Sequence, residues 1–549
     1  MISMSWRSFA DIKRGRQIVT VLARFGFEDL VGRLHLSDKP FLHRLVGPEA
    51  QLPLGERVRL VLEALGTTFV KLGQFFSMRP DIIPEEICRE LRSLQDDVPP
   101  VDFARIREEI VGALGCDIGR VFSAFEPVPV ASGSIGQVHL AVLREGEVPV
   151  ACKVRRPGAR RQVRSDFDII GLLARLAHEN IPEIRYLDLP ALIEEAKSWL
   201  LEETDFENEK NNLLVFGKLN RVEGVLAPRV LTEYSSPAFL VLERLDGLRA
   251  ADLAGSEARR RAAERLAGSF FNQVLLDGFF HGDPHGGNVF FRPSGEVVLL
   301  DWGLVGRLSW KMRLQLVELL QAVLSGDPSW TVECGLALSE NESVENRDRL
   351  ESDLLRLLDE IRGKPLSRIN VGHFLIGVFQ VLARYRIRVR SGYMLVARAL
   401  MLLEGLVREL DPEFDIMGRI RAYLPRVGRE ALKPDRFRSW AVRRLFQVAA
   451  LLDVLPTRLQ DILRKLDEGK LTVVHRHTGM EDVVVPIRRA IDRLVLGMIM
   501  ASLILGGAIL VHAGIPPRLF GIPVLGHLAF GIAAVLGVWL LWASRSRRR

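Results

Sequence analysis

The most constraining feature of this 549-residue chain is an octapeptide, HGDPHGGN, that ends at Asn288 and is followed by Asp301. Asp283 lies five residues before Asn288, and Asp301 lies thirteen residues after it. The intervening stretches Phe290-Phe291 and Val297–Leu300 have the length and apolar composition of short strands. A hairpin of these strands would bring the two carboxylates to its ends. The alternative is a polar turn between two strands.

These three polar groups suit phosphoryl transfer from a magnesium nucleotide. In enzymes of the kinase fold, one Asp positions or deprotonates the acceptor, and an Asn five residues later holds one Mg²⁺. A second Asp, on the turn after the next strand, holds the other Mg²⁺. We therefore predict that Asp283 is a catalytic group and that Asn288 and Asp301 are metal ligands.

The upstream parts of such a site are also present. Residues 131–138 fit the pattern G-x-G-x-x-G-x-V with alanine in the first glycine position, and small residues let backbone N–H groups approach phosphates. Lys153, in Val-Ala-Cys-Lys, follows Ala131 by twenty-two residues, which is the spacing of the kinase strand lysine that orients the α- and β-phosphates. The alternative for Lys153 is an edge-strand lysine facing solvent. The loop residues predicted to contact the nucleotide are Ala131, Ser132, Gly133, Ser134, Gly136 and Val138.

A buried strand lysine needs an anionic partner. The acidic run 202–209 supplies the best candidate, with Glu203 fifty residues after Lys153, and the chain between them would then be an insertion in the small lobe. The alternative is a solvated helix face. The apolar strand that precedes a turn at 245–247 is predicted to be the hinge. Backbone groups near Leu242 and Glu243 would there contact the adenine edge.

A further motif lies upstream of the loop and makes the resemblance specific. Lys71-Leu-Gly-Gln and the residues after it resemble the Lys-x-Gly-Gln signature of the UbiB (AarF-type) atypical kinase family, and Glu203-Thr-Asp205 matches the family's Glu-x-Asp motif. The resemblance spans about 54–307. The matching signature positions are Lys71, Gly73, Gln74, Ser77, Arg79, Asp81 and Pro84.

This resemblance implies an α+β, protein-kinase-like fold of two lobes, with an N-terminal Lys-x-Gly-Gln helical extension that covers the substrate cleft. It also implies binding of ATP with Mg²⁺, ATPase or atypical kinase activity, and a role in the biosynthesis of ubiquinone or related prenyl quinones at membranes. The partners it implies are prenyl-quinone lipid intermediates, the bilayer and other quinone-biosynthesis proteins.

The residues around Lys71 agree with that resemblance. Apolar residues at helical spacing predict a helix over 60–76, with Lys71 and Gln74 one turn apart on one side. We assign Lys71 a catalytic role, in which it contacts phosphates or pairs with Glu203 or Asp205. The alternative is a surface lysine on a docking helix. The sequence does not divide the two carboxylates between Lys71 and Lys153.

One departure from the family lies in the phosphate loop. The family's loop is usually alanine-rich, whereas this chain has Gly133 within Ala-Ser-Gly-Ser. An alanine methyl would crowd the phosphates and glycine relieves this, so we expect tighter ATP binding here than in relatives with an alanine loop.

Composition places the chain in a broad class. The net charge is +7 with a pI near 9.3, yet no nucleic-acid recognition motif accompanies the arginines, so no nucleic-acid partner is predicted. Four cysteines without paired or metal-ligand spacing fit a reducing cytosol. The stretch 436–444 mixes arginine with aromatic residues and suits either an anionic membrane surface or a solvated helix.

The C-terminus predicts a transmembrane hairpin. Leu494–His512 and Ile522–Trp542 carry no Asp, Glu, Lys or Arg, and each approaches the ~20 residues needed to span a bilayer. Arginines flank both outer ends, so both ends should lie in the cytoplasm and the kinase-like part should face it from the inner membrane. The alternative is a buried soluble hairpin.

Together these features predict six segments and one leading function. The segments are an N-terminal helical segment (1–53), the Lys-x-Gly-Gln extension (54–125), a small lobe with an insertion (126–243), a large lobe (244–410), a basic helical segment (411–493) and the hairpin (494–542). The leading function is a membrane-anchored ATPase that acts on access to lipid intermediates of quinone synthesis. The alternatives are a phosphotransferase acting on a protein or small-molecule hydroxyl, and a nucleotide-gated scaffold.

Overall fold

The computed structural model describes residues 9–34, 44–77, 79, 82–94, 98–339, 346–361, 370–385, 387, 389–431, 433, 442, 481–513, 517–519 and 522–545. The chain forms two compact units, Met1–Phe437 and Arg438–Arg549. The boundary lies within the predicted basic segment 411–493. Apart from Val442, the predicted membrane-surface stretch 436–444 lies outside the described residues.

The first unit begins with a helical extension. Gly66 interrupts the single helix predicted over 60–76, because its φ of +95° is left-handed and ends one helix before the next begins. The apolar residues Phe69, Leu72 and Phe75 of the second of these helices pack into one core cluster with Phe167 of a later helix. The helices of this region are α1 (Phe9–Arg24), α2 (Glu28–Arg33), α3 (Leu54–Leu65), α4 (Thr67–Ser77), α5 (Glu85–Arg92), α6 (Phe103–Leu114) and α7 (Ile118–Val121).

An antiparallel sheet follows and forms the small lobe. Its order is β1-β3-β4-β6, with β2 also paired to β3. Residues alternate along β4, so that Val150, Cys152 and Val154 are buried and Lys153 lies on the other face. The lysine strand is fourth in chain order because the strand before the loop is split in two. The strands are β1 (Phe122–Phe125), β2 (Ala131–Ser132), β3 (Gly136–Leu143), β4 (Pro149–Arg155), β5 (Val225–Leu226, which joins the large-lobe hairpin) and β6 (Phe239–Glu243).

Three helices are inserted between β4 and β5, where the sequence predicts an insertion followed by an acidic helix. The first two pack against each other, and α4 of the extension lies against both. The chain turns at Asp205, whose side chain caps the third helix by accepting the Glu207 N–H at 3.2 Å. The helices are α8 (Ala159–Asn180), α9 (Leu189–Glu203) and α10 (Phe206–Leu219).

In the large lobe the opening octapeptide leads directly into a hairpin. The predicted strands are confirmed as β8 and β9, which pair with Phe290 opposite Val298. A helix and one π-helical turn, Asn272–Asp277, lead into this region. The elements are α11 (Ser256–Phe271), β7 (Phe279–His281), β8 (Val289–Phe291), β9 (Val297–Leu299), β10 (Val305–Arg307), α12 (Trp310–Ser325), α13 (Pro328–Ala337), α14 (Arg347–Ile361), α15 (Val371–Arg384), α16 (Ser391–Leu410) and α17 (Ile416–Ala431).

The second unit is a helical hairpin. Its elements are α18 (Glu481–Ala513), β11 (Arg518–Leu519), β12 (Ile522–Pro523) and α19 (Val524–Arg545). Among the described residues, one stretch is long and apolar enough to cross a membrane by length and composition, Leu494–Ala513, with a mean hydropathy of 2.6. In α19 the part described with its side chains includes the apolar stretch Leu528–Gly537. The structure therefore provides one of the two spans predicted from the sequence.

Candidate functional site

Lys153 lies at the centre of the candidate site. On the middle strand β4 it stands opposite Val138 of β3 and Leu240 of β6. Its ammonium donates to Glu209 Oε2 at 2.7 Å and to Asp301 Oδ1 at 3.3 Å. One lysine therefore joins the small lobe, α10 and the large-lobe turn.

The anionic partner of Lys153 comes from helix α10 and is not Glu203, the candidate that the sequence offered. Glu209 lies on the first turn of the helix, and its side chain is 5% exposed. One turn later, Asn212 donates to the Trp302 carbonyl at 3.0 Å and accepts from Arg307 at 3.3 Å. The same face of α10 thus holds both Lys153 and the chain beside Asp301.

The turn that carries Asp301 has an unusual backbone. Asp301 has φ of +44°, a left-handed conformation that is strained for a residue with a Cβ and that persists where surrounding contacts over-determine it. The Gly303 N–H donates to Asp301 Oδ1 at 3.1 Å. The next residue, Trp302, is fully buried, and its indole packs on the rings of Phe216 and Phe279. Trp302 therefore anchors the turn.

The three charges shift one another's titration. Burial raises the pKa of Glu209 to about 7, although the Lys153 ammonium opposes the shift. Burial alone would raise the pKa of Asp301, but Lys153 and the Gly303 N–H outweigh it and hold this pKa well below its usual range. Burial would lower the pKa of Lys153, and the Asp301 and Glu209 carboxylates outweigh it and raise this pKa instead. Asp301 is therefore ionised at neutral pH beside a charged lysine.

Asp283 is held by a cation that the sequence did not indicate. Its Oδ1 accepts from Arg398 Nη2 of α16 at 3.3 Å, and Oδ2 lies 4.0 Å from His285 Nε2. Behind it, His281 is buried, its ring donates Nε2–H to the Leu300 carbonyl at 2.9 Å, and its Nδ1 accepts the Asp283 N–H at 3.2 Å. Burial lowers the pKa of His281, which favours this neutral ring. His281 thus joins the loop of Asp283 to the strand end before Asp301.

The donor set beside Lys153 fits a magnesium ion. Asn288 Nδ2 donates to the Asp283 carbonyl at 3.3 Å, which fixes the amide so that its oxygen is the atom left to act as a ligand. The Asn288 carbonyl accepts the Leu300 N–H at 2.8 Å, so Asn288 lies at the same end of the hairpin as the turn to Asp301. Among the described residues no cluster of three or more His, Cys, Asp or Glu side chains forms a metal site. Asp301 and Asn288 would supply two oxygen ligands to such an ion, and Mg²⁺ usually takes its remaining ligands from water and phosphate.

The loop predicted to cover the phosphates joins β2 to β3. Ala131 pairs with Val138, and the Gly133 N–H donates to the Gly136 carbonyl at 2.9 Å. Arg156, which the sequence did not single out, donates to the Gly133 carbonyl at 2.7 Å and to Ser132 Oγ at 2.9 Å. Its guanidinium also donates to the Pro99 carbonyl at 2.9 Å. The loop is thereby clamped to the chain leading out of the extension; its remaining predicted contact residue, Ser134, is buried.

The residues of the predicted hinge end a strand, and one of their backbone donors is engaged. Leu242 and Glu243 end β6, opposite Ala151 and Val150. The Glu243 N–H donates to the Arg229 carbonyl at 2.8 Å, so this donor is engaged within the protein and is not available to an adenine ring. Local strand pairing across residues 229–231 accounts for this, and no sequence pattern indicates that pairing.

The structure also shows which carboxylate pairs with each of the two lysines, a question that the sequence left open. Lys71 Nζ donates to Glu203 Oε1 at 2.5 Å, which ties α4 to α9. Asp205 caps α10 and lies 3.5 Å from Arg160, so it joins neither lysine pair. Glu209 is the carboxylate on Lys153, and the acidic run 202–209 that contains it was the available signal. For Arg398 and Arg156 no such signal exists, because each acts from an element remote in sequence.

Comparisons with known proteins agree with this architecture. The chain matches the ABC1 atypical kinase-like domain over residues 93–334, the UbiB helical domain over 354–415 and the ABC1/UbiB kinase-like C-terminal domain over 478–545. A protein named "Probable protein kinase UbiB" from Vibrio cholerae is 32% identical over 470 residues, covering 83% of this chain and 86% of that protein. Its namesake from Vibrio campbellii is 32% identical over 478 residues, with the same coverage.

Two further proteins are similar over other shares of the chain. A protein of Clostridium pasteurianum, described as an uncharacterised protein in the hydrogenase 1 5′ region, is 27% identical over 96% of this chain and 98% of its own length. The solved complex of Rv3197 with erythromycin from Mycobacterium tuberculosis is 22% identical with a TM-score of 0.44, covering 64% of this chain and 90% of that one. On the shared domains and the 32% identity, this chain belongs to the UbiB family of ABC1-type atypical kinase-like proteins.

Proposed function

We propose that this protein is a membrane-anchored, kinase-like ATPase that binds ATP with Mg²⁺ and supports the biosynthesis of ubiquinone or a related prenyl quinone. ATP turnover would drive access to, or release of, a lipid intermediate at the bilayer. Lys153 would orient the α- and β-phosphates, Asp301 and Asn288 would hold Mg²⁺, and Asp283 would position the attacking water.

The observation that carries this proposal is the three-way contact of Lys153 with Glu209 and Asp301. Asp301 is ionised at neutral pH and shares one ammonium with Glu209, an arrangement that suits a site completed by a divalent cation. The strained backbone of Asp301 supports it, because such strain concentrates at functional sites. A bound Mg²⁺ would neutralise charge on the phosphates.

The helical extension supports water, rather than a protein, as the acceptor. The Lys71–Glu203 pair ties α4 to the helices inserted in the small lobe. On the other side, Gln380 of α15 donates to Glu85 of α5 at 2.8 Å. The extension is therefore attached to both halves of the kinase-like unit, and this is the position from which it would restrict a protein substrate.

Membrane anchoring rests on the C-terminal unit. The helix Leu494–Ala513 has the length and hydropathy of a span, and only 6% of it is buried within the structure. We propose that α19 completes a two-helix hairpin in the inner membrane with the kinase-like unit in the cytoplasm. The protein would then contact prenyl-quinone intermediates and other quinone-biosynthesis proteins at the surface of that membrane.

The test is ATP hydrolysis by the full-length protein in nanodiscs. Asp301→Asn removes a metal ligand with little change in size, so hydrolysis should fall to background. Asp168→Asn is the matched control, because Asp168 lies on α8 with a side chain that is 73% exposed. Turnover by Asp301→Asn equal to that of the control would refute the metal-site assignment.

The fate of the γ-phosphate separates the remaining functions. Release as free phosphate, stimulated by bilayers containing quinone-precursor analogues, is the expected result. Transfer of labelled phosphate to a protein or small-molecule hydroxyl would replace the ATPase with a phosphotransferase. Restoration of quinone synthesis by Asp301→Asn in cells lacking the wild-type protein would instead indicate a nucleotide-gated scaffold.

A further inference from the structure

Two polar side chains lie on the buried face of β3, directly after the tip of the phosphate loop. Side chains alternate along this strand, and both Gln137 and His139 are buried on the face that packs into the apolar core of the small lobe. Val154 and Cys152 lie opposite them on β4. A buried amide and a buried imidazole are costly in such a core unless their polar atoms find partners.

The hydrogen bonds of these two side chains fix the protonation of the ring. Gln137 Oε1 accepts the Val101 N–H at 2.9 Å, and Gln137 Nε2 lies 2.9 Å from His139 Nε2 and 3.5 Å from the Val101 carbonyl. Because the Val101 N–H can only donate, the amide oxygen faces it and Nε2 donates to the ring. His139 Nε2 is therefore assigned as an acceptor, and the proton of the neutral ring lies on Nδ1, which donates to the Glu126 carbonyl at 2.8 Å.

The surroundings of His139 favour this neutral ring. The rings of Phe103 and Phe125 flank it at centroid distances of 5.8 and 5.4 Å. Burial lowers the pKa of His139, and the hydrogen bond to the Glu126 carbonyl opposes this shift. The titratable group that faces the ring from β4 is the Cys152 thiol, which burial keeps neutral by raising its pKa well above the usual range. Within the described part of the chain, no charged side chain forms an ion pair with the ring.

The Gln137 amide also holds a short segment of chain beside the phosphate loop. Residues 98–101, here called the strap, lie directly before α6. At one end of the strap, the Val98 N–H donates to the Ser132 carbonyl of the loop at 3.2 Å. At the other end, the Val101 N–H donates to Gln137. The strap is therefore attached both to the loop and to the strand that leaves the loop.

This network has no place for a second proton on the ring. Such a proton would turn His139 Nε2 into a donor that faces the Gln137 Nε2 donor at 2.9 Å. Rotation of the amide would offer its oxygen to the ring but direct Nε2 at the Val101 N–H, so one hydrogen bond is lost in either case.

We propose that Gln137 and His139 are positioning residues that form a proton-sensitive latch, which holds the strap against the phosphate loop only while the ring is neutral. The link of this latch to nucleotide binding rests on the proposed function, in which the loop covers the ATP phosphates. Neither side chain would touch the nucleotide, because both lie on the buried face of β3.

The direction of the pH effect follows from the two states of the latch. The latched ring excludes the proton, whereas a released ring titrates at the ordinary pKa of 6.5. The latch is therefore fully stabilised above about pH 6.5 and loses stability as the pH falls. One pH unit below this value should raise the released population on the order of tenfold.

The experiment measures hydrogen exchange in the full-length protein in phosphatidylcholine nanodiscs at about pH 7.5 and about pH 5.5. Pro99 and Pro100 have no N–H, so the backbone amides of the strap are those of Val98, at the loop, and Val101, at the latch. Fragmentation in the mass spectrometer resolves the two amides. The protection of each amide is taken relative to its intrinsic exchange rate at that pH, which removes the direct effect of acid on exchange.

Three variants accompany the wild type. In Gln137→Glu, the new carboxylate can accept both the Val101 N–H and the Nε2–H of a protonated ring, so this latch tolerates the proton. In His139→Phe, the titrating group is absent. Gln321→Glu is the matched control, because it makes the same chemical change at an exposed position of α12.

We expect acidification to lower the protection of both amides on the order of tenfold in the wild type and in Gln321→Glu. Gln137→Glu should keep its protection at the lower pH, and the protection of His139→Phe should not depend on pH. Constant protection in the wild type, or equal losses in the wild type and Gln137→Glu, would overturn the latch. Loss of protection at Val101 while Val98 stays protected would show that the latch does not position the loop.

Calorimetric titration of a non-hydrolysable ATP analogue with Mg²⁺ at the same two pH values separates this proposal from the proposed function. Glu209 and Asp301 are present in both the wild type and Gln137→Glu, so their titration cancels when the two proteins are compared. Acidification should weaken binding on the order of threefold more in the wild type than in Gln137→Glu. Equal weakening would exclude the latch from nucleotide binding. Absence of binding in both proteins would refute the proposed function, and the exchange experiment would still decide the latch.

Discussion

The structure contains two lysine–glutamate pairs whose glutamates are close in sequence but whose surroundings differ. Glu203 ends α9 and pairs with Lys71 of the extension, whereas Glu209 begins α10 and pairs with Lys153 of the sheet. Glu209 lies only six residues after Glu203, and Asp205 turns the chain between them. The outer pair ties the extension to the small lobe, and the inner pair lies in the proposed nucleotide site.

The surroundings of the two pairs explain why substitutions at the inner pair should have the larger effects. The Glu209 side chain is 5% exposed and that of Glu203 is 24% exposed. Lys153 must also satisfy Asp301, so removing it leaves two carboxylates facing each other without a cation. Breaking a buried pair costs more than the pair contributes, because the remaining charge stays desolvated. The comparison therefore predicts a graded series of effects.

The largest effect should come from Lys153→Met. We expect hydrolysis to fall on the order of a hundredfold or more, because the α- and β-phosphates lose their cation. The unfolding free energy should also fall, by about 3 kcal/mol, because Glu209 and Asp301 lose their shared partner. Chemical denaturation and steady-state hydrolysis measure the two quantities. Wild-type values for both would remove Lys153 from the site.

The next effect is a pH dependence carried by Glu209. Its pKa is near 7 in the folded protein and 4.5 as the ordinary value, so between these limits the folded state holds a proton that the unfolded chain has released. Its contribution to stability is complete below about pH 4.5 and is lost as the pH rises to about 7, on the order of 2 kcal/mol in all.

Glu209→Gln should abolish this slope, and Glu203→Gln should retain it. Denaturation of the three proteins at several pH values from 5 to 8 provides the measurement. Parallel curves for the wild type and Glu209→Gln would show that burial does not hold the proton on Glu209.

Which contacts could be predicted from the sequence depends on whether the two partners are close in the chain. The closeness of Asn288 to the turn of Asp301 was predictable because both residues flank one short hairpin. The strand of Lys153 was predictable from its apolar neighbours. The single helix predicted over 60–76 was wrong only at Gly66, whose positive φ no periodicity reveals.

The partners of the charged groups were less accessible. The sequence offered Glu203 for Lys153, whereas the structure selects Glu209, because a turn at Asp205 rotates the second helix towards the sheet. Arg398 reaches Asp283 from 115 residues away, and nothing in its local sequence marks it. Charge pairing between remote elements is set by packing, and a single sequence carries no direct record of it.

A smaller effect is expected at the outer pair. Lys71→Met should lower the unfolding free energy by about 1–3 kcal/mol, because Glu203 loses its ammonium partner in a half-buried position. Nucleotide affinity should change less than it does in Lys153→Met, since Lys71 does not contact the Lys153–Glu209–Asp301 group. Calorimetric titration of the nucleotide and thermal unfolding test this division. Equal losses of affinity in the two variants would mean that the outer pair belongs to the nucleotide site.

The smallest effect should come from Gly133→Ala in the loop beside both pairs. The Gly133 N–H and carbonyl are engaged by Gly136 and Arg156, so the added methyl leaves the loop's own hydrogen bonds intact. It acts only where a phosphate approaches, and we expect ATP affinity to fall about threefold with the unfolding temperature of the nucleotide-free protein unchanged. Gly112→Ala is the control, because a Cβ there meets open space on α6. Equal or tighter binding by Gly133→Ala would show that the glycine does not relieve crowding at the phosphates, and the tighter ATP binding expected of this chain would then need another cause.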